Sequence, residues 1–210
     1  MKNIYFLLLA FSLVGRSFSQ TATGYFKSGK IQFKKFTEQS SLEAIESFSK
    51  AIELNPKYAE AYNSRAIAKN YIGEYQEAMA DFNMAIELNP KYGEAYDNRG
   101  HEKDAEKDFF GAIDDYNKAI EINPKDATAY FERAIAKSGL KDYIGAIADY
   151  NKVLEVNPKE REYYTDAMVY FNRGHCKLEL SDKYGGCLDL SKSGELGFRI
   201  AYDEIEKYCQ

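Results

Sequence analysis

The sequence predicts an all-α solenoid, an array of stacked helix pairs, and three regularities lead to this fold class. All four prolines follow an asparagine and recur every 34 residues, at Pro56, Pro90, Pro124 and Pro158. The flanking residues repeat as well, as AIELNPKY at 51–58 and again at 85–92. Small and aromatic residues hold matched places within each period. A fixed period of this size is typical of proteins whose repeats each pack on their neighbours.

Each Asn-Pro pair predicts the end of a helix, because proline disfavours the α conformation in the residue before it. An aromatic residue opens each repeat and a small residue follows four positions later: Tyr62, Tyr96, Tyr130 and Tyr170, then Ala66, Gly100, Ala134 and Gly174. A second small residue comes 12 positions after that at Ala78, Ala112 and Ala146, and 13 after it at Cys187. Small residues at matched places let two helices approach closely, and the aromatics fill the space between layers.

This pattern resembles the tetratricopeptide repeat (TPR) family, whose repeat is a pair of antiparallel helices. The resemblance covers about residues 24–193 and implies a right-handed α-solenoid of about five helix-turn-helix repeats plus a C-terminal capping helix. Two positions depart from the family pattern. In four repeats arginine replaces the usual leucine, at Arg65, Arg99, Arg133 and Arg173. In the same repeats lysine replaces the usual tyrosine, at Lys69, Lys103, Lys137 and Lys177. Because these departures are themselves periodic, they indicate a sub-type of the repeat.

The landmarks predict three regular repeats, 59–92, 93–126 and 127–160. Their helices are expected near 59–71, 75–88, 93–106, 109–122, 127–139 and 143–156. The first repeat, 20–58, is irregular. It aligns through Tyr25 and Gly29, and its helices are expected near 22–36 and 42–54.

The last repeat, 161–194, is degenerate, with helices expected near 167–180 and 185–194. About six extra residues near 160–166 extend its first helix or form a longer loop. Residues 195–210 follow it. Apolar side chains at helical spacing predict a final helix there that covers the exposed face of the last repeat: Phe198, Ala201, Tyr202, Ile205 and Tyr208.

The N-terminus predicts a signal peptide, residues 1–19. Lys2 precedes an apolar run over 4–14 that is too short to span a bilayer comfortably. Ser17 and Ser19 then place small residues at the −3 and −1 positions, so we expect cleavage between Ser19 and Gln20. The mature protein would be periplasmic or extracellular, with no membrane insertion. The alternative is an uncleaved N-terminal anchor.

Aspartates recur just before the inner aromatic of the second helix, at Asp81, Asp115 and Asp149. With the periodic arginines they predict Arg–Asp pairs between helices, because a planar guanidinium suits a partly buried carboxylate. The expected role of these pairs is structural. The sequence leaves open whether each pair forms within a repeat or between neighbours.

No motif for catalysis, a metal, a cofactor or a small-molecule substrate stands out. The two histidines, His101 and His175, hold the same place in the third and fifth repeats, which puts them about 20 Å apart, given helix layers of 8–10 Å. They cannot share one metal within a chain. The net charge of −5 and the lack of a basic run disfavour nucleic acid and anionic membranes as partners.

The three cysteines, Cys176, Cys187 and Cys209, all lie near the C-terminus, and an exported protein favours oxidation of one pair. A Cys187–Cys209 disulfide is preferred, since it would pin the capping helix. A Cys176–Cys187 bridge is the runner-up, and three free or buried thiols are the remaining alternative.

The resemblance also implies a partner-binding surface, because first helices of the family line the concave face and bind extended or helical peptides. Residues at these positions in repeats two to five include the candidates Asn63, Ile67, Asn70, Asp97, His101, Asp104, Phe131, Ile135, Phe171 and His175. None of the positions considered carries Lys or Arg, which disfavours the carboxylate-clamp function of the family. The gradient from acidic to apolar suggests a ligand with basic residues at one end and bulky apolar ones at the other.

These observations predict an exported, non-catalytic scaffold, similar to bacterial envelope repeat proteins, that binds a peptide segment or helix of a partner protein. One alternative is a self-associating structural protein of the cell envelope. The other is a metal-carrying or enzymatic protein, which the lack of motifs disfavours.

Overall fold

The computed structural model describes residues 21–156 and 165–209, and these ranges contain eleven helices and no strand. The helices are α1 (Ala22–Phe33), α2 (Glu38–Leu54), α3 (Ala59–Tyr71), α4 (Tyr75–Leu88), α5 (Gly93–Ala105), α6 (Phe109–Ile122), α7 (Ala127–Gly139), α8 (Tyr143–Glu155), α9 (Asp166–Glu179), α10 (Lys183–Glu195) and α11 (Ile200–Tyr208). The predicted all-α fold class is confirmed. None of these helices is long and apolar enough to cross a membrane. The expected signal peptide, 1–19, and most of the insertion near 160–166 lie outside the described residues.

The chain divides into two compact bodies, Met1–Asn98 and Arg99–Gln210, called here the N-terminal and C-terminal bodies. In the N-terminal body, α1 packs against α2, α2 against α3, and α3 against α4. Phe48 and Phe82 fill the layers between them. A Cβ atom at Gly29 would lie 2.6 Å from the ring of Phe48, so a small residue at this place allows the close approach.

In the C-terminal body, α6 to α11 likewise pack in chain order. Its core centres on Phe131, Tyr150, Val153 and Val169, with Cys176 at one edge. The aromatic rings of Phe131 and Tyr150 meet edge to face with centroids 5.7 Å apart. The matched small and aromatic residues of the sequence therefore form the core of both bodies.

The predicted Arg–Asp pairs form within single repeats. In the α7–α8 hairpin, Arg133 donates from Nε and Nη2 to the two carboxylate oxygens of Asp149, over 2.9 and 2.6 Å. Lys137 donates to the same carboxylate over 2.7 Å. The same ion triad, one aspartate with an arginine and a lysine, recurs with Asp81, Asp115 and Asp189. Both departures from the family pattern thus serve one buried carboxylate.

Asp189 was missed at the sequence level, and so was the small residue before it. The last repeat was aligned on Cys187, 13 residues after Gly174. In the structure Gly186, 12 residues after Gly174, takes the buried small place, and a Cβ atom on Gly174 would lie 3.1 Å from its carbonyl oxygen. Cys187 is only half-buried. The regular spacing therefore continues into the last repeat.

Capping explains where helix bounds differ from prediction. α2 begins at Glu38 rather than 42, because Thr37 and Ser40 form a reciprocal capping box. α1 ends at Phe33 rather than 36, and Phe36 adopts a left-handed φ of 49°. α10 begins at Lys183 rather than 185, since the Asp182 carboxylate accepts from the amide of Gly185. α9 begins at Asp166, capped by Thr165.

α11 packs on α10 at the C-terminal end of the chain. In the structure Cys187 and Cys209 form a disulfide with Cα atoms 5.8 Å apart. Cys176, a partner in the alternative pairing, is a free and buried thiol. The bridge therefore joins α10 to the residue that follows α11.

Candidate partner-binding surface

An open cavity of about 490 Å³ lies in the N-terminal body, and we name it the α1–α3 cavity. Its floor is apolar and half-buried or buried, formed by Phe26, Phe33, Phe48 and Ile67. Its rim is charged and exposed, formed by Lys30 of α1, Lys34 directly after α1, Glu60 of α3 and Glu94 of α5. Asn63, Ser64 and Tyr92 complete the lining.

Helical periodicity places these side chains together. Phe26, Lys30 and Phe33 are spaced four and three residues apart, so they share one face of α1. Asn63 and Ile67 share a face of α3 for the same reason. The cavity is therefore lined mainly by the first helices of two successive repeats.

A hydrogen-bonded network forms the polar side of this cavity. The amide of Asn63 donates to the Tyr92 hydroxyl over 3.2 Å and accepts from Asn98 over 3.0 Å. Tyr92 in turn donates to Glu94 over 3.2 Å. Burial, followed by the nearby charge of Glu94, raises the pKa of Tyr92, so the hydroxyl stays protonated and keeps its donor.

Two of the predicted partner-binding residues of the N-terminal body, Asn63 and Ile67, line this cavity. Asn63 is only 2% exposed, and its amide is already hydrogen-bonded within the network. Its role is therefore to orient Tyr92 and Asn98 rather than to contact a partner directly. Asn70 and Asp97 are half-buried and lie outside the cavity lining.

The contribution of α1 was missed at the sequence level. If Tyr25 is counted as the opening aromatic of the first repeat, Phe26 and Lys30 fall one and five residues after it. These are the offsets used for Asn63 and Ile67 after Tyr62. The signal was therefore present, and it changes one expectation. Lysine does occur at these positions, in the first repeat.

In the C-terminal body, Phe131 is a core residue and not a surface aromatic. It is 2% exposed because its ring packs against Tyr150, so we remove it from the binding surface. The His101 side chain is 62% exposed, and interaction with Glu102 raises its pKa. Asp104 is half-buried, and burial raises the pKa of its carboxyl group.

Phe198 and Glu204, in the segment that leads into and forms α11, contact Phe171 and His175 respectively. Phe171 is half-buried. The centroid of its ring lies 4.7 Å from that of the His175 ring and 4.9 Å from that of the Phe198 ring. His175 Nε2 lies 3.5 Å from a carboxylate oxygen of Glu204 in α11. One side of each of these two candidates is therefore covered by Phe198 or α11.

A second, smaller cavity of about 160 Å³ in the C-terminal body is lined by Ile135 and His175 among others. The thiol of Cys176 also lines it and lies 3.1 Å from the hydroxyl of Ser138. Burial raises the pKa of Cys176, which keeps it a neutral thiol. Within residues 21–156 and 165–209, no group of three or more His, Cys, Asp or Glu side chains could hold a metal.

Helix pairs stacked through matched small residues, with an open cavity between first helices, define a helical-repeat protein. The chain belongs to the tetratricopeptide repeat family. Family models described as tetratricopeptide or TPR repeats match residues 59–92, 105–139 and 127–160. Proteins of this family are typically non-catalytic scaffolds. No curated protein shows significant sequence similarity to the chain.

Solved structures share the fold. MamA from Desulfovibrio magneticus RS-1 is 20% identical with a TM-score of 0.72, over 83% of this chain and 94% of that one. YrrB, described as a TPR protein with an unusual peptide-binding site, is 18% identical with a TM-score of 0.72, over 94% and 98%. The first TPR of Spaghetti (RPAP3), bound to the HSP90 peptide SRMEEVD, is 28% identical with a TM-score of 0.54, over 58% and 94%.

Proposed function

We propose that this protein is an exported scaffold that binds a peptide segment or helix of a partner protein, without catalysis. The observation that carries the proposal is the α1–α3 cavity, whose apolar floor lies inside a charged rim. Protein–protein interfaces have this same arrangement of an apolar centre and a polar edge. The peptide-binding descriptions of YrrB and of the Spaghetti repeat support the same class of ligand.

The binding surface extends, in this proposal, along the first helices of each body. In the N-terminal body it centres on Ile67 with the α1 side chains Phe26 and Phe33. In the C-terminal body the exposed His101 and the half-buried Ile135 are the best-placed candidates. A partner that reaches Phe171 and His175 has to approach beside α11, which already packs there.

A pull-down with a cavity variant tests this function. Protein comprising residues 20–210 is immobilised and exposed to envelope extract of the source organism. We expect Ile67→Asp to abolish capture of the partner, because a carboxylate in the apolar floor is desolvated by any bound side chain. The matched control is Ile144→Asp, since Ile144 is 71% exposed and lies outside both cavities.

The outcomes separate cleanly. Capture by the wild-type protein and by Ile144→Asp, but not by Ile67→Asp, supports the proposal. Equal capture by all three proteins, or no protein captured by any of them, contradicts it. Circular dichroism of Ile67→Asp shows whether the variant is folded, and Ile67→Ala provides a milder change if it is not.

A further inference from the structure

The rim of the α1–α3 cavity separates charges of opposite sign by helix. Both ammonium groups come from the C-terminal end of α1, with Lys30 in its last turn and Lys34 directly after it, whereas the carboxylates of Glu60 and Glu94 come from α3 and α5. All four residues are exposed. In the part of the chain that the structure describes, none of the four takes part in an ion pair.

The rim charges lack the partners on their own helix that some exposed charges elsewhere have, as Lys118 has in Glu121 over 2.7 Å and Lys152 in Glu155 over 2.7 Å. Two of the rim charges contact an aromatic residue. Lys30 Nζ lies 5.8 Å from the centroid of the Phe26 ring, and Glu94 accepts from the hydroxyl of Tyr92. Each rim charge is therefore available to a ligand group of opposite sign.

The apolar floor determines which kind of side chain can bind between the two groups of charges. Three phenylalanine rings and Ile67 surround a space of about 490 Å³, within the range of cavities that hold small ligands. A bulky apolar side chain removes this apolar surface from water, which is the main favourable contribution to such binding. A polar side chain there would lose its hydration without gaining partners.

We infer that the α1–α3 cavity selects a partner segment in which a bulky apolar side chain separates an acidic residue from a basic one. The acidic group lies at Lys30 and Lys34, and the basic group lies at Glu60 and Glu94. This inference rests on the proposed function and adds the chemistry of the ligand. A uniformly acidic segment would meet the two glutamates, and a uniformly basic one would meet the two lysines, so like-charge repulsion rejects both.

Four labelled, blocked heptapeptides test the inference by fluorescence anisotropy at low salt with the chain 20–210. The mixed peptide carries two glutamates, a central phenylalanine between glycines, and two lysines. The other three carry serine in place of phenylalanine, glutamate at all four charged places, or lysine at all four. The mixed peptide is expected to bind at least tenfold more tightly than each of the others.

Charge-reversal variants assign the recognition to the rim. Lys30→Glu/Lys34→Glu should shift the preference to the all-lysine peptide, and Glu60→Lys/Glu94→Lys should shift it to the all-glutamate peptide. The matched control, Lys125→Glu/Lys152→Glu, makes the same change of charge in the C-terminal body and should keep the wild-type preference. All the altered side chains are exposed, so the fold should tolerate these changes.

Equal affinity for all four peptides, or a preference that the rim variants leave unchanged, would overturn the inference. Free phenylalanine binding as tightly as the mixed peptide would overturn it in favour of a small-molecule site. If the mixed peptide fails to bind while Ile67→Asp still abolishes partner capture, the charge selection is wrong and the scaffold function stands.

Discussion

At the scale of single residues, one buried carboxylate joins the two helices in each of repeats two to five. Asp149 is 4% exposed and accepts two parallel hydrogen bonds from Arg133 and a third from Lys137. The Arg133 guanidinium also lies 5.3 Å from the ring centroid of Tyr130 and donates to Asn117 in α6. The triad therefore ties both helices of its hairpin together and reaches the preceding helix.

Loss of one member of this triad should be costly. We expect Arg133→Ala to lower the free energy of unfolding by about 3–5 kcal/mol, because Asp149 then stays buried with one cation fewer. Urea unfolding of both proteins measures the change. The control is Lys152→Ala, which removes an exposed pair with Glu155 and should change stability by less than about 1 kcal/mol.

A third variant tests whether the unpaired buried charge causes this loss of stability. Replacing all three members by leucine should recover most of the loss, since apolar side chains leave no unpaired buried charge. A loss below about 1 kcal/mol for Arg133→Ala would mean that water already screens the pair, as it does for surface ion pairs.

Residue-scale prediction from sequence succeeded where the 34-residue period was followed and stopped where it was not. The Arg–Asp pairs at Asp81, Asp115 and Asp149 follow the period, whereas Asp189 was lost to a misaligned last repeat. Burial at one repeat position was harder to foresee. Phe131 packs on Tyr150, but the last repeat has Leu190 at the Tyr150 place, and Phe171 contacts Phe198 instead.

At the scale of elements, most helix bounds could be predicted because Asn-Pro pairs and small residues recur at matched places of each repeat. α3, α4, α6 and α7 have the predicted bounds. The first repeat differs, since its helix ends depend on the capping interaction of Thr37 with Ser40 rather than on the repeat signal. The cavity could not be located in advance, because it needs the first repeat to be placed against the second.

α11 is the element that most depends on its surroundings. It has nine residues, and isolated helices this short are marginal in water. The contacts that hold its segment include the Cys187–Cys209 disulfide, the edge-to-face packing of Phe198 on Phe171, and the approach of Glu204 to His175. Because the aromatic and ionic contacts are individually weak, we expect the disulfide to be the dominant restraint.

Removing the disulfide should loosen α11 before the rest of the C-terminal body. We expect Cys187→Ser/Cys209→Ser to lower stability by about 3 kcal/mol, from the loss of a cross-link over a separation of 22 residues. Hydrogen exchange should show the amides of α11 losing protection while those of α7 and α8 keep theirs.

Thiol counting provides the control for that experiment. The wild-type chain should label one cysteine, Cys176, and only after unfolding, because this thiol is buried. Cys176→Ser should then label none and retain the protection of α11. Three reactive thiols in oxidised wild-type protein, or unchanged protection in the double variant, would contradict the role assigned to the disulfide.

At the scale of the whole molecule, the disulfide and the N-terminal segment concern the same question of compartment. Disulfides persist in oxidising compartments and are rare in the cytosol. The apolar run over 4–14 with small residues at Ser17 and Ser19 predicts export from independent residues. The two features agree, since the compartments to which the proposed export would deliver the chain are those in which disulfides persist.

Export is therefore testable by the N-terminus and the thiols of one sample. Full-length protein expressed in its source organism should be recovered outside the cytosol, beginning at Gln20, with a mass reduced by residues 1–19 and by the two hydrogens of one disulfide. Ser17→Phe/Ser19→Phe places bulky residues at −3 and −1, where the cleavage site requires small ones, so this variant should keep Met1 and stay attached to the membrane. Ser12→Thr leaves the site intact and should be processed like the wild type. Protein that keeps Met1 in the cytosolic fraction, with three reduced thiols, would refute export and leave the oxidised pair without an environment to maintain it.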